Sequence, residues 1–301
     1  MEMKKDHDGT ARTAALCRKA AAQGAVLLKN EDAVLPLTAD DRVAVFGRCQ
    51  KDYYRSGTGS GGAVNVLYTT NLLDGLRNDH ITVNGMLADC YESWIAGHPF
   101  DNGGGGWACE PWCQAEMPVS QELAAKAAAA SNKAVVVIGR TAGEDKDNNA
   151  AKGSYFLTGT EKELLHNVCA HFEDVIAVLN VSNIIDMGFV QDSSHIKAVV
   201  YAWQGGMEGG NGIADVLTGR EVFQGKLTDT IAGKITDYPS DKNYGGTEKN
   251  IYQEDIYVGY RYFETFAQDA VLYPFGYGLS YQEFSKSGRK AEIHGSGAEL
   301  V

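Results

Sequence analysis

Short apolar runs alternate with segments of helical period along most of this chain. The runs are VAVFG from Val43, ITVNG from Ile81, AVVVIGR from Ala134, VIAVLNV from Val175, AVVYAW from Ala198 and KLTDTI from Lys226. Helical spacing marks residues 11–30, 67–78, 120–132 and 158–172. Such alternation is typical of parallel strands with helices on both faces. It predicts an α/β fold in which a mostly parallel six-stranded sheet is sandwiched between helices, with flavodoxin-like layering.

Three segments depart from this rhythm. Residues 97–118 are rich in glycine, proline and tryptophan, which predicts a long functional loop. Residues 237–278 are rich in tyrosine with few helical signals, so we expect a meandering surface segment. After Phe284 the sequence turns polar, which predicts that residues 1–284 form one domain and residues 285–301 a linker or the start of a following domain.

Composition excludes several classes of partner. The chain has 301 residues and a formal net charge of -12, so nucleic acids and anionic membranes would be repelled. No apolar run is long enough to span a bilayer, and the first residues lack the apolar core of a secretory signal, which predicts a cytoplasmic location. The six cysteines are spread widely and are expected to be reduced thiols. We predict no metal and no cofactor, and a neutral or cationic small ligand fits this charge better.

The glycine-rich segment Gly57 to Gly62 formally satisfies GxGxxG, a motif that can bind a dinucleotide. In dinucleotide folds the glycines follow the strand directly, whereas nine residues separate Gly47 from Gly57 here. A flexible loop on the substrate side or between domains is therefore favoured over a nucleotide site.

One glutamate, Glu144, follows the third apolar run within the charged sequence GEDKDN. Ligand-facing loops of parallel sheets lie beyond the carboxyl ends of the strands, which is where this glutamate is predicted to lie. A solvated charged turn is the simpler interpretation. The alternative is a general acid whose pKa is raised towards neutrality by apolar and charged neighbours.

Two tryptophans lie in the long loop and one glutamate opens a later helix. Trp107 and Trp112 present large rigid faces that could stack on a sugar, or they anchor the loop. Glu208 begins a predicted helix, where a carboxylate favours the positive helix end, so we expect it to cap that helix.

Several segments together resemble one known family. They are AAAQGAVLLKNEDAVLPL, GTGSGGAVNV, VVVIGRTAGEDKDN, YAWQGGMEGGNGIADVLTGREVFQGKLTDT, and EDIYVGYRYFETF followed by VLYPFGYGLSYQEF. They resemble the second domain of glycoside hydrolase family 3, the β-glucosidase family, from about Ala11 to Phe284. The combination of YVGYRYF and PFGYGLSY is the most specific part of this resemblance.

The resemblance implies an α/β sandwich that packs beside a β/α barrel and hydrolyses terminal β-linked sugars with retention of configuration. The barrel supplies the aspartate nucleophile and the sandwich supplies the acid/base glutamate, which matches Glu144. The family continues with glycine, any residue, aspartate and arginine; here Asp145 replaces the glycine, Asp147 keeps the aspartate and Asn148 replaces the arginine.

The remaining site residues are assigned on this resemblance. Arg140 and Asp147 are expected to contact the substrate or orient the Glu144 loop, and Trp107 or Trp112 to border the site of the leaving group. The expected partners are a β-glucoside or oligosaccharide and a barrel domain of the same protein.

No barrel and no nucleophile are recognisable in these residues. Met1 precedes the matching helix by only ten residues, so we expect a fragment of a member with reversed domain order, the sandwich first and the barrel last. A free-standing half is the alternative. On either view this chain alone is expected to be inactive, and the rival function is a noncatalytic carbohydrate-binding or interaction domain.

Overall fold

A six-stranded sheet forms the centre of the molecule. The structure, a computed structural model, describes residues 10–246 and 248–282 and the backbone of 7–9, 291–294 and 297–300. Its strands are β1 (Val26–Asn30), β2 (Arg42–Phe46), β3 (Thr82–Val83), β4 (Lys133–Gly139), β5 (Val175–Asn180) and β6 (Ile196–Tyr201). The spatial order is β1-β6-β5-β4-β2-β3, and every neighbouring pair is parallel except β1 with β6. The predicted α/β class and mostly parallel sheet are confirmed.

Helices cover both faces of this sheet. They are α1 (His7–Gly24), α2 (Leu72–Asn78), α3 (Gly85–Gly97), α4 (Gln121–Ala130), α5 (Gly159–Cys169), α6 (Gly188–Gln191), α7 (Gly209–Leu217) and α8 (Tyr260–Phe266). Short 3-10 helices span Arg48–Gln50, Gly103–Gly105, Gly206–Glu208, Ile235–Asp237 and Gln268–Ala270. Strands β7 (Ile231–Ala232) and β8 (Val271–Tyr273) pair antiparallel, as do β9 (Ala291–His294) and β10 (Gly297–Leu300).

Alternate residues of each strand enter two separate hydrophobic cores. In β4, Val136 and Ile138 pack with side chains of α3, α4 and α5, whereas Val135 and Val137 pack with those of α1, α2 and α7. Both faces of the strand are buried, which is why parallel strands read as continuous apolar runs.

Two predicted elements are wrong. The opening helix was expected to run through Asn30, but it ends at Gly24, and Val26–Asn30 is the antiparallel edge strand β1. Its apolar side chains are buried on both faces, an environment that a strand provides. The run from Lys226 is not a strand of the main sheet: only Ile231–Ala232 is extended, and it pairs with β8. Polar residues interrupt that run, so it lacks the continuous apolar surface that a central strand needs.

The two irregular segments have the character that was expected, with one exception. Residues 98–118 form a long loop that contains one short 3-10 helix. The tyrosine-rich segment does run irregularly, but it also contains α8, which the sequence did not predict. Phe263 of α8 is buried and packs edge-on against Tyr238, so a tertiary contact stabilises this short helix. The predicted domain boundary at residue 284 lies outside the described residues.

The carboxyl ends of β2, β4, β5 and β6 lie along one edge of the sheet. Gly47 turns the chain as it leaves β2; its φ is 91°, and a Cβ there would lie 2.1 Å from the carbonyl oxygen of Val137. Only glycine tolerates both this backbone conformation and this approach. The turn directs the segment after β2 towards the segment after β4, where the candidate site lies.

Candidate functional site

Glu144 lies at the tip of a tight turn that follows β4. Gly143 and Lys146 exchange backbone hydrogen bonds of 3.0 and 3.1 Å across this turn, and Asp145 adopts a φ of 60°. The Glu144 side chain is exposed at the same edge as the other strand-end loops. A group in this position can reach a molecule or domain that approaches the carboxyl ends of the strands.

The glycine-rich segment after β2 contacts this turn directly. The carboxylate oxygen Oε2 of Glu144 accepts hydrogen bonds from the backbone N of Ser60 at 2.9 Å and from its Oγ at 2.5 Å. The backbone N of Thr58 donates to the carbonyl oxygen of Ala142 at 3.2 Å, and Thr58 bridges to Gly143. The GxGxxG sequence therefore packs against the candidate acid/base residue.

The pKa of Glu144 is shifted in the direction opposite to the one expected. The hydroxyl of Ser60, followed by its backbone N–H, stabilises the carboxylate and lowers the pKa below its usual value. The expected increase requires burial or a second negative charge close by. In this chain the carboxyl group is exposed to solvent, so neither effect dominates.

Both predicted tryptophans lie beside this turn. The indole Nε1 of Trp107 donates to Oδ2 of Asp145 at 2.7 Å, and 54% of the residue is exposed. The Nε1 of Trp112 donates to the carbonyl oxygen of Asp147 at 2.9 Å, and the ammonium of Lys146 lies 5.0 Å from its ring centroid. Trp112 is half-buried and anchors the long loop, whereas Trp107 keeps an accessible surface next to Glu144.

Arg140 is fully buried and cannot contact a substrate in this structure. Its guanidinium donates to both carboxylate oxygens of Glu161, at 2.6 and 2.8 Å, and to the carbonyl oxygens of Gly139 and Ser154. Glu161 also forms a capping box with Thr158 at the start of α5. The predicted substrate contact of Arg140 is therefore corrected, and the expected role in orienting the loop remains.

Asp147 and Asn148 complete the turn. Asp147 is exposed and forms a hydrogen bond with Tyr244. The partial burial of Tyr244, followed by this hydrogen bond, raises the pKa of Tyr244 to about 12. Asn148, which stands where the family pattern has arginine, donates from Nδ2 to the carbonyl oxygen of Ile184 at 3.0 Å. Its Oδ1 accepts from the hydroxyl of Ser154 at 2.8 Å. The amide thus fixes the loop without an arginine.

Glu208 does not cap its helix through its side chain. It occupies the N-cap position of α7, but no side-chain cap hydrogen bond forms there. Its carboxylate instead accepts from the hydroxyl of Tyr68 at 2.5 Å and from Nδ2 of Asn211 at 2.8 Å. The expected side-chain cap is therefore absent, because Tyr68 and Asn211, which lies in the first turn of the same helix, hold the carboxylate at the N-terminal end of α7.

Sequence reasoning missed two groups near the site. Ser60 lies within the glycine motif, and that motif was considered only as a nucleotide site or a flexible loop. Arg48 follows Gly47 as Arg140 follows Gly139, and this repeated Gly-Arg pair after two strands was the available signal. Arg48 is buried and donates to Asp52 and to the carbonyl oxygens of His98 and Ala115, which holds the long loop at this edge.

The described residues carry few signs of other chemistry. All six cysteines are free thiols. Within the described ranges no three acidic, histidine or cysteine side chains converge as metal ligands. No helix in the same part of the chain combines the length and the hydropathy needed to cross a membrane.

Known proteins resemble this chain over nearly its whole length. A β-glucosidase of Ruminococcus albus is 53% identical over 273 residues, which cover 90% of this chain and 28% of that protein. β-Glucosidase A of Butyrivibrio fibrisolvens is 37% identical over 301 residues, which cover 91% of this chain and 35% of that protein. The chain thus spans about a third of the length of these relatives.

Solved structures agree with this fold. A β-glucosidase from Paenibacillus barengoltzii superposes with a TM-score of 0.91 at 59% identity, over 95% of this chain and 32% of the other. β-Glucosidase 3B from Thermotoga neapolitana, in complex with α-D-glucose, superposes with a TM-score of 0.87 at 32% identity, over 99% of this chain and 42% of the other. The profile described as the glycosyl hydrolase family 3 C-terminal domain matches residues 25–281. The chain therefore belongs to glycoside hydrolase family 3 and corresponds to the domain that this description names.

Proposed function

We propose that this chain is the acid/base-bearing domain of a retaining β-glycosidase, and that Glu144 is its proton donor and acceptor. The observation that supports this most is the exposed carboxylate at the carboxyl edge of a parallel sheet, in a chain that is 53% identical to part of a β-glucosidase. The substrate that these relatives' names suggest is a terminal β-linked glucoside. A neutral sugar also suits a chain of net charge -12.

Retaining hydrolysis uses two carboxyl groups in two steps. In the first step one carboxylate bonds to the anomeric carbon while Glu144, as the acid, gives its proton to the departing glycosidic oxygen. In the second step the Glu144 carboxylate takes a proton from water, whose oxygen attacks the anomeric carbon and releases the first carboxylate. Each proton that Glu144 gives in the first step is thus recovered in the second.

The nucleophile is proposed to lie outside this chain. The two carboxyl groups of a retaining enzyme lie roughly 5 to 5.5 Å apart, and the acids beside Glu144 have other contacts. Asp145 accepts from Trp107, and Asp147 bonds to Tyr244. Since the chain spans about a third of its relatives, a barrel domain of a longer protein is the proposed partner. A cytoplasmic location stays a prediction from the sequence.

Trp107 is proposed to border the space that the leaving group occupies. Its side chain is exposed and donates a hydrogen bond to Asp145, the residue that follows Glu144 in the sequence. An indole face stacks well on the apolar face of a sugar ring. We propose that Asp147 and Arg140 orient the Glu144 turn and do not contact the sugar, because Asp147 bonds to Tyr244 and Arg140 is buried.

The decisive experiment is Glu144→Gln in the full-length protein that contains this chain. General acid catalysis contributes roughly 100-fold to 10,000-fold, so hydrolysis of glucosides with poor leaving groups should slow by about that amount. Activated aryl glucosides need little protonation and should be hydrolysed in the first step almost normally. Added azide should then speed turnover by replacing water, with a glycosyl azide as product.

Glu163→Gln, a similar change on the exposed face of α5, serves as the matched control and should leave all rates unchanged. An equal loss on good and poor leaving groups in the Glu144→Gln protein would contradict the assignment. Calorimetric titration of this chain with cellobiose tests the rival function, because a dedicated binding domain would give measurable heat and a lone half-site would not.

A further inference from the structure

Ser60 makes two hydrogen bonds to the proposed acid/base residue. Its backbone N–H and its hydroxyl both donate to one carboxylate oxygen, Oε2 of Glu144, at 2.9 and 2.5 Å. The two residues are 84 positions apart and lie in loops that follow different strands. Hydrogen bonds to an ionised acceptor are short and strong, so this contact restricts the rotation of the carboxyl group.

The loop that carries Ser60 has internal hydrogen bonds that do not involve the Glu144 side chain. The guanidinium of Arg55 donates to the carbonyl oxygen of Gly62 at 3.1 Å. The backbone N of Ala63 donates to the carbonyl oxygen of Gly59, also at 3.1 Å. Gly59 has a φ of 75°, and a Cβ there would lie 2.4 Å from the Cβ of Glu144. A glycine is needed for the loop to approach this closely, so the sequence itself permits the contact.

We propose that Ser60 is a positioning residue that orients the Glu144 carboxyl group and selects the oxygen that exchanges the proton. This inference rests on the proposed function of Glu144. Two donors occupy the lone pairs of Oε2, so the proton of the acid form resides on Oε1. Oε1 gives this proton to the glycosidic oxygen in the first step and recovers one from water in the second.

The same contact favours the basic form of Glu144. Both Ser60 donors stabilise negative charge on Oε2, so they assist the second step, in which Glu144 begins as a carboxylate. They also oppose protonation, which the first step requires. Ser60 therefore sets a balance between the two steps, and its removal should change the pH dependence as well as the rate.

The first test measures the Glu144 carboxyl group in this 301-residue chain by NMR with labelled glutamate. Glu144→Gln assigns the resonance by removing it. In Ser60→Ala the pKa of Glu144 should rise because the hydroxyl bond is lost, whereas Ser60→Thr should restore it. Ser56→Ala, a matched change in the same loop, should leave it unchanged. An unshifted pKa in Ser60→Ala would overturn the proposal.

The second test uses the full-length protein. Ser60→Ala should lower kcat about tenfold for poor leaving groups, the loss expected when one hydrogen bond to a charged group is removed. The alkaline limit of kcat/KM should move to higher pH, because the acid form persists further when its pKa rises. A change confined to KM would contradict the positioning role. A normal rate in Glu144→Gln would instead contradict the proposed function, and the NMR result on Ser60 is independent of that outcome.

Discussion

At the scale of single residues, two buried arginines support the loops around Glu144. Arg48 and Arg140 each follow a glycine at the end of a strand, and each donates to a carboxylate and to backbone carbonyl oxygens. A buried guanidinium needs acceptors in a fixed planar arrangement, which a lysine cannot use in the same way. Arg48 thereby fixes the long loop that carries the tryptophans, and Arg140 fixes the segment after the Glu144 turn.

The acidic neighbour of Arg48 gives a pH-dependent contribution to stability. Glu116 accepts from the backbone N of Arg48 at 2.8 Å and of Met117 at 2.9 Å. Burial nevertheless raises its pKa to about 7, with the charge of Glu161 acting in the same direction. The folded protein therefore binds this proton more tightly than the unfolded chain does, whose glutamates titrate near 4.3.

Glu116→Gln should consequently change how stability depends on pH. The contribution of Glu116 is fully present below about pH 4.3 and is lost as the pH rises through about 7. We expect the free energy of unfolding of the natural chain, minus that of the variant, to fall by roughly 1–3 kcal/mol across this window. Urea denaturation at several pH values measures this difference. A constant difference would show that the pKa of Glu116 is not raised in the folded protein, and a difference that grows with pH would show that it is lowered.

At the scale of elements, the sequence predicted best where the local pattern and the tertiary environment agree. The runs at Val43, Ala134, Val175 and Ala198 became strands because parallel strands are buried on both faces and need continuous apolar sequence. The run AVLL after Gly24 is equally apolar, but it follows an alanine-rich helix directly, so it was predicted to continue that helix and not to form β1. Helix and strand cannot be distinguished in so short a run by its apolar content alone.

The same reasoning explains which features of the candidate site could be predicted from the sequence. Glu144 was predictable because it directly follows a recognisable strand and lies in a family motif. Its contact with Ser60 was not, because it depends on β2 and β4 being neighbours in the sheet, which strand order along the chain does not give. Arg140 was expected to contact the substrate or orient the Glu144 loop; its burial was not predictable, because its ion-pair partner Glu161 lies 21 residues away in the sequence.

Two glycines of the Ser60 loop, Gly59 and Gly61, allow a matched pair of substitutions to be predicted. Gly59→Ala would place a Cβ 2.4 Å from that of Glu144 in a backbone conformation with φ of 75°, so the loop must move away. We expect a stability loss of about 1–2 kcal/mol, the order of the cost of a strained residue, together with a raised pKa of Glu144. Gly61→Ala is the matched control, since its Cβ meets nothing within 4 Å. Urea denaturation and the Glu144 NMR titration should separate the two variants, and equal behaviour of both would refute this account of the loop.

At the scale of the whole molecule, the sandwich has a hydrophobic core on each face of the sheet and several exposed apolar side chains beside the candidate site. Its two hydrophobic clusters cover both faces of the sheet. Yet exposed apolar side chains follow the Ser60 loop directly, at Val64, Leu67 and Tyr68, with 56%, 72% and 42% exposure. The glycine-rich loop and these side chains lie in one continuous segment, and the proposed barrel would approach the Glu144 edge next to it.

The last prediction concerns this chain without that partner. A general acid can protonate a leaving group, but retention also requires a nucleophile within roughly 5.5 Å, and Asp145 and Asp147 are held by Trp107 and Tyr244. The isolated chain should therefore release glucose from cellobiose, whose leaving group is poor, no faster than its own Glu144→Gln variant does. The full-length protein should exceed both by at least about 100-fold. Turnover by the isolated chain that disappears in Glu144→Gln would place a nucleophile within these 301 residues and refute the division of the catalytic pair between two domains.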